Sequence, residues 1–153
     1  MAYTKRFDGR KFDEVREMEA KVGIIPRADG SAMFRTGKTV AIAAVHGPRG
    51  VFPAFLQNPK GGRLKCVYDL LSFSVTERKR PGPSRRSTEI SMVTEDSLKP
   101  VLDLTKFSYL GVDVYVYITQ ADAGTRAAGI NAASLALADA GMSMKDLITS
   151  IAV

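Results

Sequence analysis

The stretch from Glu77 to Arg86 reads Glu-Arg-Lys-Arg-Pro-Gly-Pro-Ser-Arg-Arg: five cations, one acid and no large apolar side chain. Between Lys60 and Arg86 stand eight Lys or Arg and two acids, Asp69 and Glu77, a net charge of +6. The whole chain of 153 residues also carries +6, so the remainder is neutral. Charge concentrated in this way makes a local field that attracts a polyanion. The plainer reading is a solvated basic loop, and charge alone does not choose between the two. Pro83-Ser84 reads as a helix entry with Ser84 as N-cap, which puts Arg85 and Arg86 in the first helical turn. Cations there oppose the helix dipole by a few tenths to about 1 kcal/mol each. An anion bound at that end would turn dipole and arginines to a common use; otherwise the two arginines simply point into water.

A second constellation is Asp122-Ala123-Gly124-Thr125-Arg126. A β-branched and aromatic run over residues 112–118 leads into it and a helical pattern leaves it. A strand–glycine–helix turn points several backbone N–H groups at one spot and adds the positive end of the helix. Thr125 contributes a hydroxyl, Arg126 a planar fork suited to phosphate oxygens, and Gly124 lets the backbone come close to a ligand. The bland alternative is a capped helix whose Arg126 pairs with Asp122 or Asp139.

Other chemistries have little material. His46 is the only histidine, which excludes a multi-histidine metal site or a histidine-based triad of the usual pattern, and suits a strand end better. Cys66, the only cysteine, permits no internal disulfide and reads as core. Gly37-Lys38-Thr39 is not a phosphate loop, because Ala32 stands where the pattern needs glycine. Gly61-Gly62 is no nucleotide fingerprint either. No metal ligands are assigned.

The elements that must position these groups follow from periodicity. Residues 1–16 are polar and basic, an arm that packs on something else, with a turn at Asp8-Gly9-Arg10. Met18, Ala20, Val22 and Ile24 alternate as a half-buried strand does, ended by Pro26. Asp29-Gly30 signals a hairpin, 31–36 a short strand, Gly37-Lys38 a turn, and 39–45 a central apolar strand closed by His46-Gly47-Pro48. Residues 49–63 form a long loop carrying Phe52, Phe55 and Leu56, which either dock on a neighbour or contact a partner. Leu64, Cys66, Tyr68 and Leu70 share one face of the next strand. Ile90, Val93, Leu98 and Val101 recur at helical spacing, and Pro100 marks the end of that helix. A mostly alanine helix over 125–140, closed by Gly141, is smooth enough to lie close to a sheet, and 144–151 reads as a further helix. The chain is 45% hydrophobic with a pI near 9.6, enough for one packed core and compatible with a nucleic-acid partner. No apolar run approaches the ~18 residues of a membrane span. The N-terminus has no signal-peptide core, so a cytoplasmic location and no membrane partner are expected.

Lys5 to Arg10, Ala28 to Ala32, Glu77 to Ser87 and Gln120 to Arg126 together resemble the RNase PH family, in order and over essentially the whole chain. The Arg-Lys-Arg-Pro-Gly-Pro-Ser-Arg-Arg run is most similar to its archaeal exosome branch. The resemblance implies an α+β fold: a β-sheet packed against helices, like a ribosomal-protein domain, with a left-handed βαβ crossover. It implies that residues 1–153 are the first lobe, with 1–16 as an N-terminal arm, and that the acidic active-site residues lie in a second lobe. Without those acids this fragment would bind RNA and phosphate yet turn over poorly.

The implied activity is phosphorolysis of single-stranded RNA from its 3′ end, releasing nucleoside diphosphates, with inorganic phosphate as co-substrate and Mg2+ left open. Gly124, Thr125 and Arg126 would hold the attacking phosphate. Arg85 and Arg86 would hold the RNA, and Lys60, Arg63 and Lys65 would line its entry pore. The implied partners are a homologous inactive subunit alternating in a six-membered ring and an RNA-binding cap subunit. A non-catalytic RNA-binding scaffold of the same ring is the competing class. A ribosomal-protein-like RNA binder, which needs the basic cluster but not the anion turn, is a third.

Overall fold

The computed structural model describes Arg6 and residues 8–152. The order is β1 (Met18–Val22), β2 (Gly30–Thr36), β3 (Thr39–Gly50), β4 (Arg63–Leu70), α1 (Arg85–Leu98), β5 (Leu110–Gln120) and α2 (Thr125–Asp139), with single 3-10 turns at Ala54–Leu56 and Leu104–Phe107. The strands form one sheet in the order β1-β2-β3-β5-β4. All neighbours are antiparallel except β4 and β5, whose parallel pairing requires the crossover through α1. The architecture is the expected α+β one.

Both helices cover one face. Ala41, Ala43 and Val45 of β3, Val112, Val114, Val116 and Ile118 of β5, and Leu64, Cys66 and Tyr68 of β4 meet Ala128, Ala132, Ala133, Ala136 and Leu137 of α2 and Ile90 and Leu98 of α1. The alanine-rich helix lies as close to the sheet as its sequence suggests. A Cβ placed on Gly30 would stand 2.3 Å from Ala140 N and 2.4 Å from Ala136 O, so only glycine fits there. Burial pushes the Cys66 thiol up to about 12, with the Glu95 carboxylate adding to the effect, so this cysteine is core and inert.

The inner face of α1 is more polar than the apolar spacing predicts. Ser87 and Thr94 are buried beside Ile90 and Leu98, whereas Val93 is only half-buried. Its hydroxyls bond back to the helix, Ser91 Oγ to Ser87 O at 2.7 Å and Thr94 Oγ1 to Ile90 O at 2.8 Å. The polarity serves the outer edge of β4. The N–H of Tyr68 donates to Ser91 Oγ at 2.8 Å and that of Cys66 to Glu95 Oε2 at 3.4 Å, so α1 side chains close an edge that would otherwise pair with another chain.

Several expectations are corrected. Met18 and Val22 are 53% and 56% exposed, not half-buried, because α2 lies over β2 and β3 and touches β1 only at its margin. Asp29-Gly30 is not a two-residue hairpin but the end of a longer β1–β2 connection. Asp29 is drawn across the sheet, accepting from Gly47 N at 2.9 Å and Arg49 Nη2 at 3.1 Å. β3 does not stop at His46; a register shift between His46 and Arg49 carries it to Gly50. The segment from Met144 onward is no helix. Its backbone bonds go to distant partners: Lys145 N to Val101 O at 2.8 Å, Ile148 N to Ser134 Oγ at 2.9 Å and Ser150 N to Asn131 Oδ1 at 2.7 Å. Phe52 and Phe55 do not dock inside the chain; they are 92% and 82% exposed. Of the N-terminal arm, residues 1–5 and 7 lie outside the described part.

Gly30→Ala is expected to lower stability by about 3 kcal/mol, since the helix must lift from the sheet to admit a methyl group. Chemical denaturation of the variant beside wild type measures this, and an unchanged midpoint would contradict the close approach.

Candidate anion and nucleic-acid interface

β5 ends at Gln120 and α2 begins at Thr125, leaving four residues to reverse the chain over the end of the sheet. Ala123 and Gly124 both take the left-handed conformation, at φ 58° and 70°. For a non-glycine residue this costs on the order of 1–3 kcal/mol and persists only when the surroundings impose it. The imposing group is Thr39, the first residue of β3 and fully buried. Its hydroxyl donates to Ala123 O at 2.7 Å and accepts from Asp122 N at 2.9 Å, bracketing the turn. From the arm, Arg16 Nη1 donates to Asp122 O at 2.7 Å.

The turn's carbonyls are thus tied back, while the helix start ahead of them is open. Gly124 O accepts the first helical bond, from Ala128 N at 3.0 Å. No side chain caps α2 and no acid lies in its first turn, so the N–H groups of Thr125, Arg126 and Ala127 have no acceptor among the described residues. Such an end attracts an anion. Gly124 is required by its positive φ. A Cβ there would meet only Ala152, at 3.5 Å, an ordinary contact.

Arg126 pairs with neither Asp122 nor Asp139. Asp139 Oδ2 is used by Ser31 N at 2.9 Å, and Arg126 Nη2 meets Glu89 Oε1 at 2.9 Å instead. Glu89 lies one turn along α1 from Arg85 and Arg86, so the pair brings the starts of both helices together. Ser84 caps α1 as expected, accepting from Ser87 N at 3.1 Å in a reciprocal capping box. The side chains of Arg85 and Arg86 are exposed and make no ion pair or hydrogen bond with the described residues. Lys79 is withdrawn from the basic surface. It forms a short ion pair with the half-buried Asp69 and pins the basic loop to the end of β4. Beneath this region lies Tyr68, 1% exposed, whose hydroxyl has no hydrogen-bond partner among the described residues. Among the described residues no cluster of acids, cysteines and histidine could hold a metal ion.

The structure divides the predicted residues into two groups. Gly124, Thr125 and Arg126 stand with Arg85 and Arg86. Lys60, Arg63 and Lys65 are exposed at the other end of β4, which spans about 23 Å at ~3.3 Å per residue. They share that end with Phe52 and Phe55, which sit in the loop leading into β4. Sequence reasoning does not find Thr39, Arg16, Glu89, Asp69 or Tyr68. Their contacts to the site run across separations of 37 to 107 residues for Glu89, Thr39 and Arg16, and no local pattern encodes them.

Comparison with known proteins relates the chain to one family. The sequence profile of the 3′ exoribonuclease family, domain 1, named RNase_PH, matches residues 14–143. The chain is 53% identical over 148 residues to the exosome complex component Rrp41 of Thermococcus kodakarensis, covering 97% of this chain and 59% of that protein. It is 49% identical over 148 residues to the Rrp41 component of Archaeoglobus fulgidus, covering 97% and 57%. The chain therefore spans about three fifths of the length of these relatives. Among solved structures, the crystal structure of rice Rrp46 superposes with a TM-score of 0.80 at 26% identity, covering 93% of this chain and 64% of that one. A chain of the Archaeoglobus fulgidus exosome with RNA bound to the active site superposes with a TM-score of 0.77 at 26% identity, covering 88% and 56%.

Thr39→Val is expected to lower stability by about 2 to 4 kcal/mol, because Asp122 N–H and Ala123 C=O lose their buried partner. Glu89→Gln, at an exposed pair, should stay within about 1 kcal/mol of wild type. Thermal denaturation of both variants checks the contrast. Equal effects would mean that Thr39 does not bracket the turn.

Proposed function

The chain belongs to the RNase PH family of 3′ exoribonucleases, and on that premise we propose that residues 1–153 are the first lobe of a phosphorolytic exosome subunit. The observation that carries the reading is the open start of α2, with its carbonyls held back by Thr39 and Arg16. Arg126, Arg85 and Arg86 gather around it. This is equipment for two oxyanions. Inorganic phosphate would sit on the N–H groups of the 124–126 turn, with the Thr125 hydroxyl and the Arg126 fork. Arg85 and Arg86 would hold the phosphodiester next to the RNA 3′ end.

In that arrangement a phosphate oxygen attacks the terminal phosphorus and the bond to the upstream 3′ oxygen breaks. That oxygen takes up a proton as the new 3′-hydroxyl end, and a nucleoside diphosphate leaves. Water takes no part, so the reaction is a nucleotidyl transfer to phosphate and not a hydrolysis. Two negative groups must be brought together, and positioning with charge neutralisation is the main requirement. The described residues supply both. They supply no general acid, which the reading assigns to a second lobe. They also offer no acidic cluster suited to Mg2+, and no step is routed through that ion.

Lys60, Arg63 and Lys65, at the far end of β4, are assigned to the path along which single-stranded RNA approaches. The exposed Phe52 and Phe55 are assigned to contacts with neighbouring subunits of a six-membered ring. That ring would contain a homologous inactive subunit and carry an RNA-binding cap, in the cytoplasm. The scaffold alternative needs a basic surface but no anion turn; the uncapped start of α2 beside Arg126 favours the catalytic reading.

The test uses the full-length subunit with its ring partner, single-stranded RNA and inorganic phosphate. Diphosphate products that form only with phosphate are expected; none at all would leave the scaffold reading. Arg126→Lys keeps the charge but loses the fork, so the phosphorolysis rate should fall by about tenfold or more while RNA binding is retained. A full rate with a lowered melting temperature would reduce Arg126 to a structural partner of Glu89. Arg85→Ala and Arg86→Ala should weaken RNA binding alike for different sequences. Each should reduce the salt dependence of binding by about 0.7 in log–log slope. An unchanged slope in the double variant would place the RNA elsewhere.

A further inference from the structure

Tyr68 is the one large polar side chain buried beneath the anion turn. It stands in register with Val116 on β5, and its ring runs under α2. A Cβ on Gly129 would be 3.0 Å from Tyr68 Cε2, so the glycine one turn after Thr125 makes room for the ring. The backbone is held by α1 through Ser91. The hydroxyl is fully enclosed yet has no hydrogen bond of good geometry. Burial raises its pKa, and three groups oppose the rise: the Thr125 hydroxyl at short range, then the Arg86 and Arg126 charges. Thr125 stands one turn before Gly129 on the same buried face of α2, so the phenol and the Thr125 hydroxyl share this part of the core. Ser74, whose carbonyl accepts from Ala121 N at 2.9 Å, has the other buried hydroxyl without a partner among the described residues, at the same end of the sheet.

A buried hydroxyl without a partner is costly and calls for an explanation. Packing alone does not need the oxygen, because phenylalanine would fill the same space. We propose that Tyr68 is a positioning residue for the phosphate. Its O–H donates to Thr125 Oγ1 when the anion is bound and thereby turns the Thr125 proton toward an anion oxygen. A hydroxyl that accepts one bond donates a stronger one, so a tyrosine that never touches phosphate still tightens its grip. The inference rests on the phosphate reading of the 124–126 turn and adds a residue that the pattern of that turn does not contain.

Tyr68→Phe in the full-length assembled protein tests it. The expected result is a phosphate KM raised about five- to tenfold, an RNA KM unchanged, and a melting temperature equal to or above wild type. In a Thr125→Val background the same substitution should add nothing further. A phosphate KM that stays the same in an enzyme still dependent on phosphate overturns the inference and leaves the proposed function standing. An additive effect in the double variant overturns the route through Thr125. If wild type shows no phosphate-dependent degradation, the proposed function falls. The inference is then judged by inorganic phosphate alone, from the shift of the Thr125 amide resonance on titration. Equal affinity in wild type and Tyr68→Phe would overturn it.

Discussion

The approach of α2 to the sheet is the constraint on which the rest depends. Between Gly30 and the backbone of Ala136 and Ala140 there is no space for a methyl group. The facing alanines at 128, 132, 133 and 136 are almost wholly enclosed. With the helix this close, its first residue must begin almost on top of the end of β5. The chain has only four residues in which to turn, and two of them are forced into the left-handed region. The buried hydroxyl of Thr39 holds that turn by both a carbonyl and an amide. The open helix start is thus a consequence of core packing, transmitted through one hydroxyl.

The same packing gathers positive charge. α1 closes the edge of β4 with Ser91 and Glu95, and α2 crosses the middle strands. The starts of both helices come together at the Arg126–Glu89 pair. Three arginines and two helix ends then face one region with a single acid paired among them. An anion bound there would turn this excess of positive charge into attraction. Asp69, by withdrawing Lys79, limits the excess and fixes the loop from which Arg85 and Arg86 project.

The basic stretch that dominates the sequence is not one surface. Continuous in the chain, it is split by the length of β4 into a group beside the anion turn and a group near Phe52 and Phe55. A strand is a spacer of fixed length, so charges separated by it are too far apart to hold a single phosphate together.

Periodicity and turn chemistry determined the strands β2, β3 and β5, the shared face of Leu64, Cys66 and Tyr68, the Ser84 cap, and the alanine helix closed by Gly141. These are local matters, settled by side-chain alternation and by which residues tolerate which φ. The anion turn was legible for the same reason, as a strand, a glycine and a helix in succession. Tertiary structure decided what local patterns cannot carry. Met18 and Val22 remain exposed because α2 touches β1 only at its margin, and residues 144–151 form no helix because their amides bond to Asn131, Ser134 and Val101. Arg126 chooses Glu89 over the nearer acids because α1 and α2 meet. The partners that shape the site, Thr39, Arg16 and Tyr68, are separated from it by 57 to 107 residues and are brought in by strand order and close packing, which a one-dimensional pattern does not record.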